Sequence, residues 1–461
     1  MNPASAPANS SPATASHAAA SGAGSRAGSG QITLSTRVAA WVAPAAARWA
    51  AWMGGARASS QSVAKDAAAS PWQPGGRPRI LILRRNRMGD MLCAYPLVRA
   101  VRTAFPGAVI HIACDAMAAP VARACPHADG VVQLSPGLHR WHMAVRNAPR
   151  LQGYDAAIAV KGGFDLVLAL LLRITNAPIR IGFAPKASAT DPAPTGPASL
   201  PAPVADFYTH TLPPPPWGEH QMETCLRLAA PLLHIAQPQA PALELPSGPA
   251  PQRMDLAEAI RNSAPAINAE VDAWAANALG AISPDLAVAC GSAERPRLPL
   301  ALVNISSTAP LKWTDAQLAE LARRLAAELG LHTALVFAPA DASRAAAIAA
   351  AARPGAAAGT AASPAVTALA TPTPLHLAAV LRRSAFLFSP EGGAGHLASF
   401  TGTPLVLLWS EGPYEKWHAR AERCRVFRAD LAHADLAHSQ PVTVDAVIAG
   451  IREEGYAEVA P

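Results

Sequence analysis

The apolar positions of this chain fall into short continuous runs, separated by longer stretches in which apolar residues return at helical spacing. The first run is Ile80-Leu81-Ile82-Leu83, which follows Arg79. Four apolar residues without polar alternation suit a strand covered on both faces, as in a parallel sheet. From Asp90 to Ala104 the spacing of Ala94, Leu97, Val98 and Val101, leading to Phe105, predicts a helix. Further strand patterns lie at Ala108 to Ala113, Gly130 to Leu134 and Asp155 to Val160, with helix-sized segments between them. Strands alternating with helices at this spacing predict a parallel α/β sheet.

A second set begins with the strand pattern Leu300 to Ser306. Thr314 with Gln317 three residues on forms a capping box, and Gly330 supplies a helix stop. Strands at Thr333 to Phe337, Ala385 to Phe388 and Pro404 to Trp409 alternate with helices near Ser343 to Arg353 and Leu375 to Arg383. A last helix runs from Thr443 to about Glu454. The pattern therefore predicts an α/β chain of two Rossmann-like domains with parallel sheets facing a cleft, over residues 78–235 and 299–461.

The remaining segments differ in composition. Residues 1–77, rich in Ala, Ser, Gly and Pro, read as a largely disordered extension. Within it, Arg37 to Trp52 places Val38, Trp41, Ala45, Trp49 and Trp52 on one side, a helix that could lie on an anionic membrane, although Pro44 interrupts it. Ala184 to Trp217 is Pro-rich and reads as a long loop, followed by a helix from about His220 to His234. Residues 236–298 read as an inter-domain region with one helix around Ile267 to Leu279, and Pro354 to Pro374 as a surface excursion.

Charge and cysteine content narrow the class. A net charge of +7 suits anionic partners in general, yet no lysine or arginine run is interleaved with aromatics, which argues against nucleic acid. Six cysteines are scattered without metal-ligand spacing, so no metal is expected and reduced thiols are. No basic-then-apolar leader and no run of about 18 apolar residues is found, so the expected location is the cytoplasm.

Ligands of parallel sheets bind outside the carboxyl ends of the strands, which directs attention to three loops. Arg84-Arg85-Asn86-Arg87-Met88-Gly89-Asp90 is neither a GxGxxG fingerprint nor a GxxxxGK[ST] loop, which argues against a nicotinamide oxidoreductase and a P-loop enzyme. Asp90 stands at the start of a helix and could cap it or accept a proton from a substrate hydroxyl. In Ser306-Ser307-Thr308-Ala309-Pro310-Leu311-Lys312-Trp313, hydroxyls and a lysine precede a helix, a pattern that suits a diphosphate. Ser389-Pro390-Glu391-Gly392-Gly393-Ala394-Gly395-His396 is a Gly-rich strand-to-helix turn that lets backbone amides approach a ligand. Past the next strand, Ser410 to Trp417 adds a polar loop at the same edge.

Together these segments resemble glycosyltransferase family 9, the ADP-heptose:lipopolysaccharide heptosyltransferases. The resemblance rests on Ile80 to Arg84 with Met88-Gly89-Asp90 and Pro96-Leu97, and on Tyr154 to Val160 with Arg180-Ile181-Gly182-Phe183. It continues with Lys312-Trp313, with Glu391-Gly392-Gly393-Ala394-Gly395-His396-Leu397-Ala398, and with Gly402-Thr403-Pro404 and the loop to Trp417. It covers roughly residues 79–235 and 300–420. It implies the GT-B fold and an inverting, metal-independent transfer from a nucleotide sugar, ADP-heptose in that family, to a lipid-linked saccharide of the lipopolysaccharide core.

By the same resemblance Asp90 is the general base and Lys312 the catalytic group on the leaving-group side. Ser307, Thr308, Lys312, Asp341, Glu391, Gly392, Gly393 and His396 hold the donor, and Arg87, Met88 and Gly89 lie on the acceptor side. No cofactor beyond the donor substrate is implied, and the acceptor implies contact with the cytoplasmic face of the inner membrane. The sequence departs from the family at Glu391, where an Asp is usual, and at Gly392, which replaces a hydroxyl residue. Two other readings stay open: a GT-B transferase with another donor or acceptor, and a non-catalytic protein that binds sugar nucleotides.

Overall fold

The structure is a computed structural model, and it describes residues 71–72, 75–85, 87–185, 207–236, 255–287, 297–306, 313–353, 365–409, 413–428 and 442–458. The expected extension with its Arg37 to Trp52 helix lies outside these residues, as do Ser307, Thr308 and Lys312.

The N-terminal sheet contains β1 (Arg79–Leu83), β2 (Val109–Cys114), β3 (Gly130–Gln133), β4 (Ala156–Ala159), β5 (Ile179–Phe183) and β6 (His210–Leu212), ordered β3-β2-β1-β4-β5-β6. The C-terminal sheet contains β7 (Leu298–Asn304), β8 (His332–Phe337), β9 (Val366–Ala370), β10 (Ser384–Pro390), β11 (Leu405–Trp409) and β12 (Cys424–Arg428), ordered β12-β11-β10-β7-β8-β9. Every neighbouring pair is parallel. Each sheet thus starts in its middle, winds to one edge and returns to wind to the other. The strand order reverses between β1 and β4 in one half and between β7 and β10 in the other. Crevices open at such reversals, outside the carboxyl ends of the strands.

The central strands are the ones the apolar pattern marks most plainly. All of β4, β10 and β11 and four of the five residues of β1 are buried. The pattern does not mark β5, nor β6, β9 and β12, which are edge strands of mixed polarity and partial burial; β9 lies within the expected surface excursion from Pro354 to Pro374. The expected loop over Ala184 to Trp217 therefore contains an edge strand. In β5, Gly182 leaves room for the buried Tyr208 ring, which a Cβ would strike.

The helix expected from Asp90 to Ala104 is two helices, Met88–Leu92 and Tyr95–Ala104. Pro96 can sit only in a first helical turn, because it lacks an N–H and crowds the carbonyl four residues earlier, so the chain restarts there. The first of these helices starts two residues before Asp90, and its cap residue, Arg87, makes no side-chain capping bond. Between 314 and 330 the pattern is realised in full: Thr314 and Gln317 form the reciprocal capping box, and Gly330 closes the helix at φ 65°.

The two halves share one continuous apolar cluster, running from Ile80 and Ile82 through Leu97 and Val98 to Leu397, Phe400, Leu300 and Leu302. Tyr95 and Phe400 meet edge to face at 5.3 Å. Segment 236–298 contributes helices Leu256–Arg261 and Ala269–Gly280, the first of which packs on both halves, against Tyr95–Ala104 and Gly393–Thr401. Arg99 pairs with Glu258 at 2.8 Å, and Arg383, buried, pairs with Asp272 at 2.9 Å.

At the cleft floor the halves touch backbone to backbone. A Cβ on Gly89 would lie 2.9 Å from His396 Cδ2 and 3.5 Å from Gly393 Cα, and one on Gly393 would lie 3.3 Å from the Gly89 nitrogen. Beside this contact, His220 Nε2 donates to the His418 carbonyl at 2.9 Å. Burial pushes the His396 imidazole down to about 4 and that of His220 down to about 3.

Gly89→Ala should drive a methyl group into the buried His396 ring and lower stability by about 1–3 kcal/mol, the usual cost of overpacking, read as a fall in thermal midpoint. The two imidazoles make a pH prediction of definite sign. The unfolded histidines protonate near pH 6.5, whereas the folded ones stay neutral, so their contribution is complete above that pH and is lost as pH falls, to about 4 for His396 and about 3 for His220. Denaturant midpoints should drop between pH 7 and pH 5, and His396→Leu should flatten part of that drop. An equal drop in the variant would show that His396 does not carry it.

Candidate active site

The N-terminal reversal point is organised by Arg84, the residue that ends the buried run of β1. Its side chain is 2% exposed, and a guanidinium so placed is tolerated only when its protons are donated. Nη1 donates to the Val160 carbonyl at 2.8 Å, Nε to the Asp90 carbonyl at 2.8 Å, and Nη2 to Asp90 Oδ1 at 2.6 Å. One buried cation therefore ties the loop after β1, the end of β4 and the carboxylate of Asp90. The Asp90 side chain keeps 18% exposure, and among the described residues Oδ2 has no protein partner. Of the two sequence alternatives for Asp90, capping is not realised; it is an ion-paired carboxylate that opens on the cleft.

Cavities flank this carboxylate. One, of about 360 Å³, is lined by Arg84, Asp90, Lys161, Gln221, Lys416 and Trp417. It joins both halves, since Lys416 and Trp417 come from the C-terminal half. Gln221 is 1% exposed, among the described residues its Oε1 has no hydrogen-bond partner, and Gly162 packs against that oxygen. A second cavity, of about 370 Å³, is lined by Arg87, Asp90, Asp115 and Met117.

The largest of these spaces, about 570 Å³, opens at the C-terminal reversal point. Its polar lining comes from Ser306, Asp341, Thr371 and Thr373, and its floor from the Glu391-Gly392-Gly393 turn. Asn304 Nδ2 donates to Ser389 Oγ at 3.0 Å, and the Ser306 amide donates to Asn304 Oδ1 at 3.1 Å, so the ends of β7 and β10 are bound together. Ser306 Oγ donates to Asp341 Oδ2 and accepts from the Ala338 amide at 2.9 Å. Gly392 has φ 147°, a conformation that L side chains rarely adopt, and it starts the helix Gly393–Thr401 without a side-chain cap. Among the described residues no cap side chain covers the first-turn amides of that helix, and the helix dipole favours an anion there.

The predicted residues are thus distributed unevenly. Asp341, Glu391, Gly392 and Gly393 line one cavity together. Arg87, Met88 and Gly89, expected on the acceptor side, line that same cavity across from them, and Arg87 also reaches the Asp90 side. His396, expected to touch the donor, lies behind the turn: it is 6% exposed, lines none of the three cavities, and among the described residues its Nδ1 has no partner. The sequence reading missed Arg84, Lys161 and Gln221. An arginine directly continuing a four-residue buried run was the available signal for the first.

Residues 143–442 match the family model described as Glycosyltransferase family 9 (heptosyltransferase). No curated protein matches the chain by sequence. Among solved structures, a glycosyl transferase of family 9 from Veillonella parvula superposes with a TM-score of 0.58 at 16% identity, covering 82% of this chain and 97% of its own. The E. coli ADP-heptose lps heptosyltransferase II gives 0.56 at 17% identity, covering 81% and 98%. E. coli heptosyltransferase WaaC with ADP gives 0.54 at 19% identity, covering 81% and 99%. Asp90 precedes the matched residues, so its role rests on the geometry above. The fold is that of the GT-B heptosyltransferases, and the chain is a glycosyltransferase that belongs to glycosyltransferase family 9.

Proposed function

We propose that this glycosyltransferase moves a heptose from ADP-heptose to a lipid-linked saccharide of the lipopolysaccharide core, with inversion and without a metal, at the cytoplasmic face of the inner membrane. The observation that carries the reading is Asp90, an ion-paired carboxylate with one oxygen open to the cleft, which stands between the cavities on its own side and the anion-favouring turn at Gly392. Solved relatives hold ADP and ADP-2-deoxy-2-fluoro heptose, which supports an adenosine diphosphate donor.

In this mechanism the acceptor sugar occupies the Lys161 and Gln221 side. Asp90 takes the proton of its hydroxyl as that oxygen attacks the anomeric carbon from the face opposite the diphosphate. The bond from the anomeric carbon to the diphosphate breaks, and its electron pair leaves with the diphosphate. The first-turn amides at Gly393, together with Lys312, Ser307 and Thr308 from the loop after β7, stabilise the departing charge. Asp341 and Glu391 accept hydrogen bonds from the nucleoside. His396 acts as a positioning residue, packed behind the turn against Gly89.

A second reading, another nucleotide sugar, is favoured by one feature: Gly392 carries no hydroxyl where the family usually supplies one. Donor competition distinguishes the two. ADP-heptose should be consumed in preference to UDP- and GDP-sugars, and turnover confined to a UDP- or GDP-sugar would overturn the heptose assignment. Asp90→Asn preserves shape and the hydrogen bond from Arg84 but removes the base. Transfer should fall by roughly 10²–10⁴-fold, with nucleotide affinity unchanged by calorimetry. Undiminished transfer would show that Asp90 is not the base.

A further inference from the structure

Among the described residues, the large apolar side chains that stand furthest into solvent are Leu138 at 92%, Trp217 at 85% and Met117 at 72% exposed. All three lie on loops that leave the carboxyl edge of the N-terminal sheet: Met117 after β2, Leu138 after β3 and Trp217 after β6. β3 and β6 are the two ends of that sheet, separated by roughly 24 Å across six parallel strands. β1, which leads to Asp90, lies between them.

The stretch of chain that carries one of these prongs has charge of a single sign. From Val131 to Tyr154 the sequence contains no Asp or Glu, while Arg140, Arg146 and Arg150 are all exposed there. Val145 adds a further exposed apolar side chain on the helix Arg140–Asn147.

From these observations we infer that the carboxyl edge of the N-terminal sheet docks on an anionic lipid bilayer, with Leu138 and Trp217 entering the interface and Arg140 and Arg146 facing lipid phosphates. Separated apolar prongs beside arginines match an interface that has no fixed shape. A protein partner instead calls for a contiguous, well-packed apolar patch. Tryptophan suits the headgroup level, where its ring is buried and its N–H stays hydrated. Docking in this orientation turns the Asp90 side of the cleft toward the lipid surface, so a membrane-held saccharide reaches the base without leaving the bilayer. The inference deepens the proposed location at the inner membrane, and its last consequence rests on the proposed lipid-linked acceptor.

The test is co-sedimentation of the full chain with vesicles of phosphatidylglycerol and phosphatidylcholine, against vesicles of phosphatidylcholine alone. Leu138→Ser with Trp217→Ser, and separately Arg140→Gln with Arg146→Gln, change exposed residues outside the catalytic machinery. The arginine pair should cost roughly thirtyfold in affinity, at about fivefold for each basic side chain near an anionic surface. The apolar pair should also weaken binding, and both variants should keep full transfer to a delipidated, water-soluble acceptor. Sedimentation of both variants equal to the parent's, or equal binding of the parent to both vesicle types, overturns the docking surface. Failure of the parent to glycosylate the soluble acceptor counts against the proposed donor and acceptor and leaves the vesicle result standing.

Discussion

The guanidinium of Arg84 sets the conditions for everything around Asp90. A cation removed from water costs several kcal/mol unless its protons are donated and its charge is balanced, and here two carbonyls and one carboxylate meet that demand. The consequence is geometric. The loop after β1 cannot move relative to the end of β4 without orphaning a buried donor, so the carboxylate is held in place by the cost of any alternative. A lysine at this position would present a point charge in place of a planar fork and could not hold three segments with the same directionality.

A second constraint is the contact of Gly89 with Gly393 and His396. Where side chains separate two domains, they can rotate and accommodate relative movement. Where backbones touch, the distance is fixed by van der Waals radii. The continuous apolar cluster from Ile80 to Leu302 acts in the same direction, because separating the halves would expose Tyr95 and Phe400 together. Asp90 and the Gly392 turn are therefore spaced by the packing of the core as well as by the loops that carry them.

The parts of this fold that the sequence made legible are those governed by local physics. Buried central strands such as β1 and β7 announce themselves as unbroken apolar runs, and the helix after Thr314 carries its own start and stop. The edge strands β6, β9 and β12 do not, because a strand with one free edge and a partly wetted face needs no distinctive pattern, although the edge strand β3 keeps enough apolar residues to show one. For the site, the loops were legible because strand ends are where parallel sheets open. Which loop residue faces which cavity was not. His396 reads as a ligand contact by its place in a Gly-rich signature, yet it packs behind the turn, because a helix starting at Gly393 turns its fourth residue toward Gly89. The ion pair of Arg84 with Asp90 joins residues six apart across a bend that no periodicity predicts.

The pairing of Arg84 with Asp90 also bears on what can stand opposite it. A bare carboxylate facing a diphosphate would raise the energy of both, and the repulsion would grow as the leaving group gathered charge. With a buried cation at 2.6 Å, the field of Asp90 is largely that of a dipole and falls off faster with distance than that of a charge. The cleft can thus keep a proton acceptor on one wall and a polyanion on the other. In the proposed mechanism this charge balance, as well as distance, lets the base and the diphosphate share one cleft.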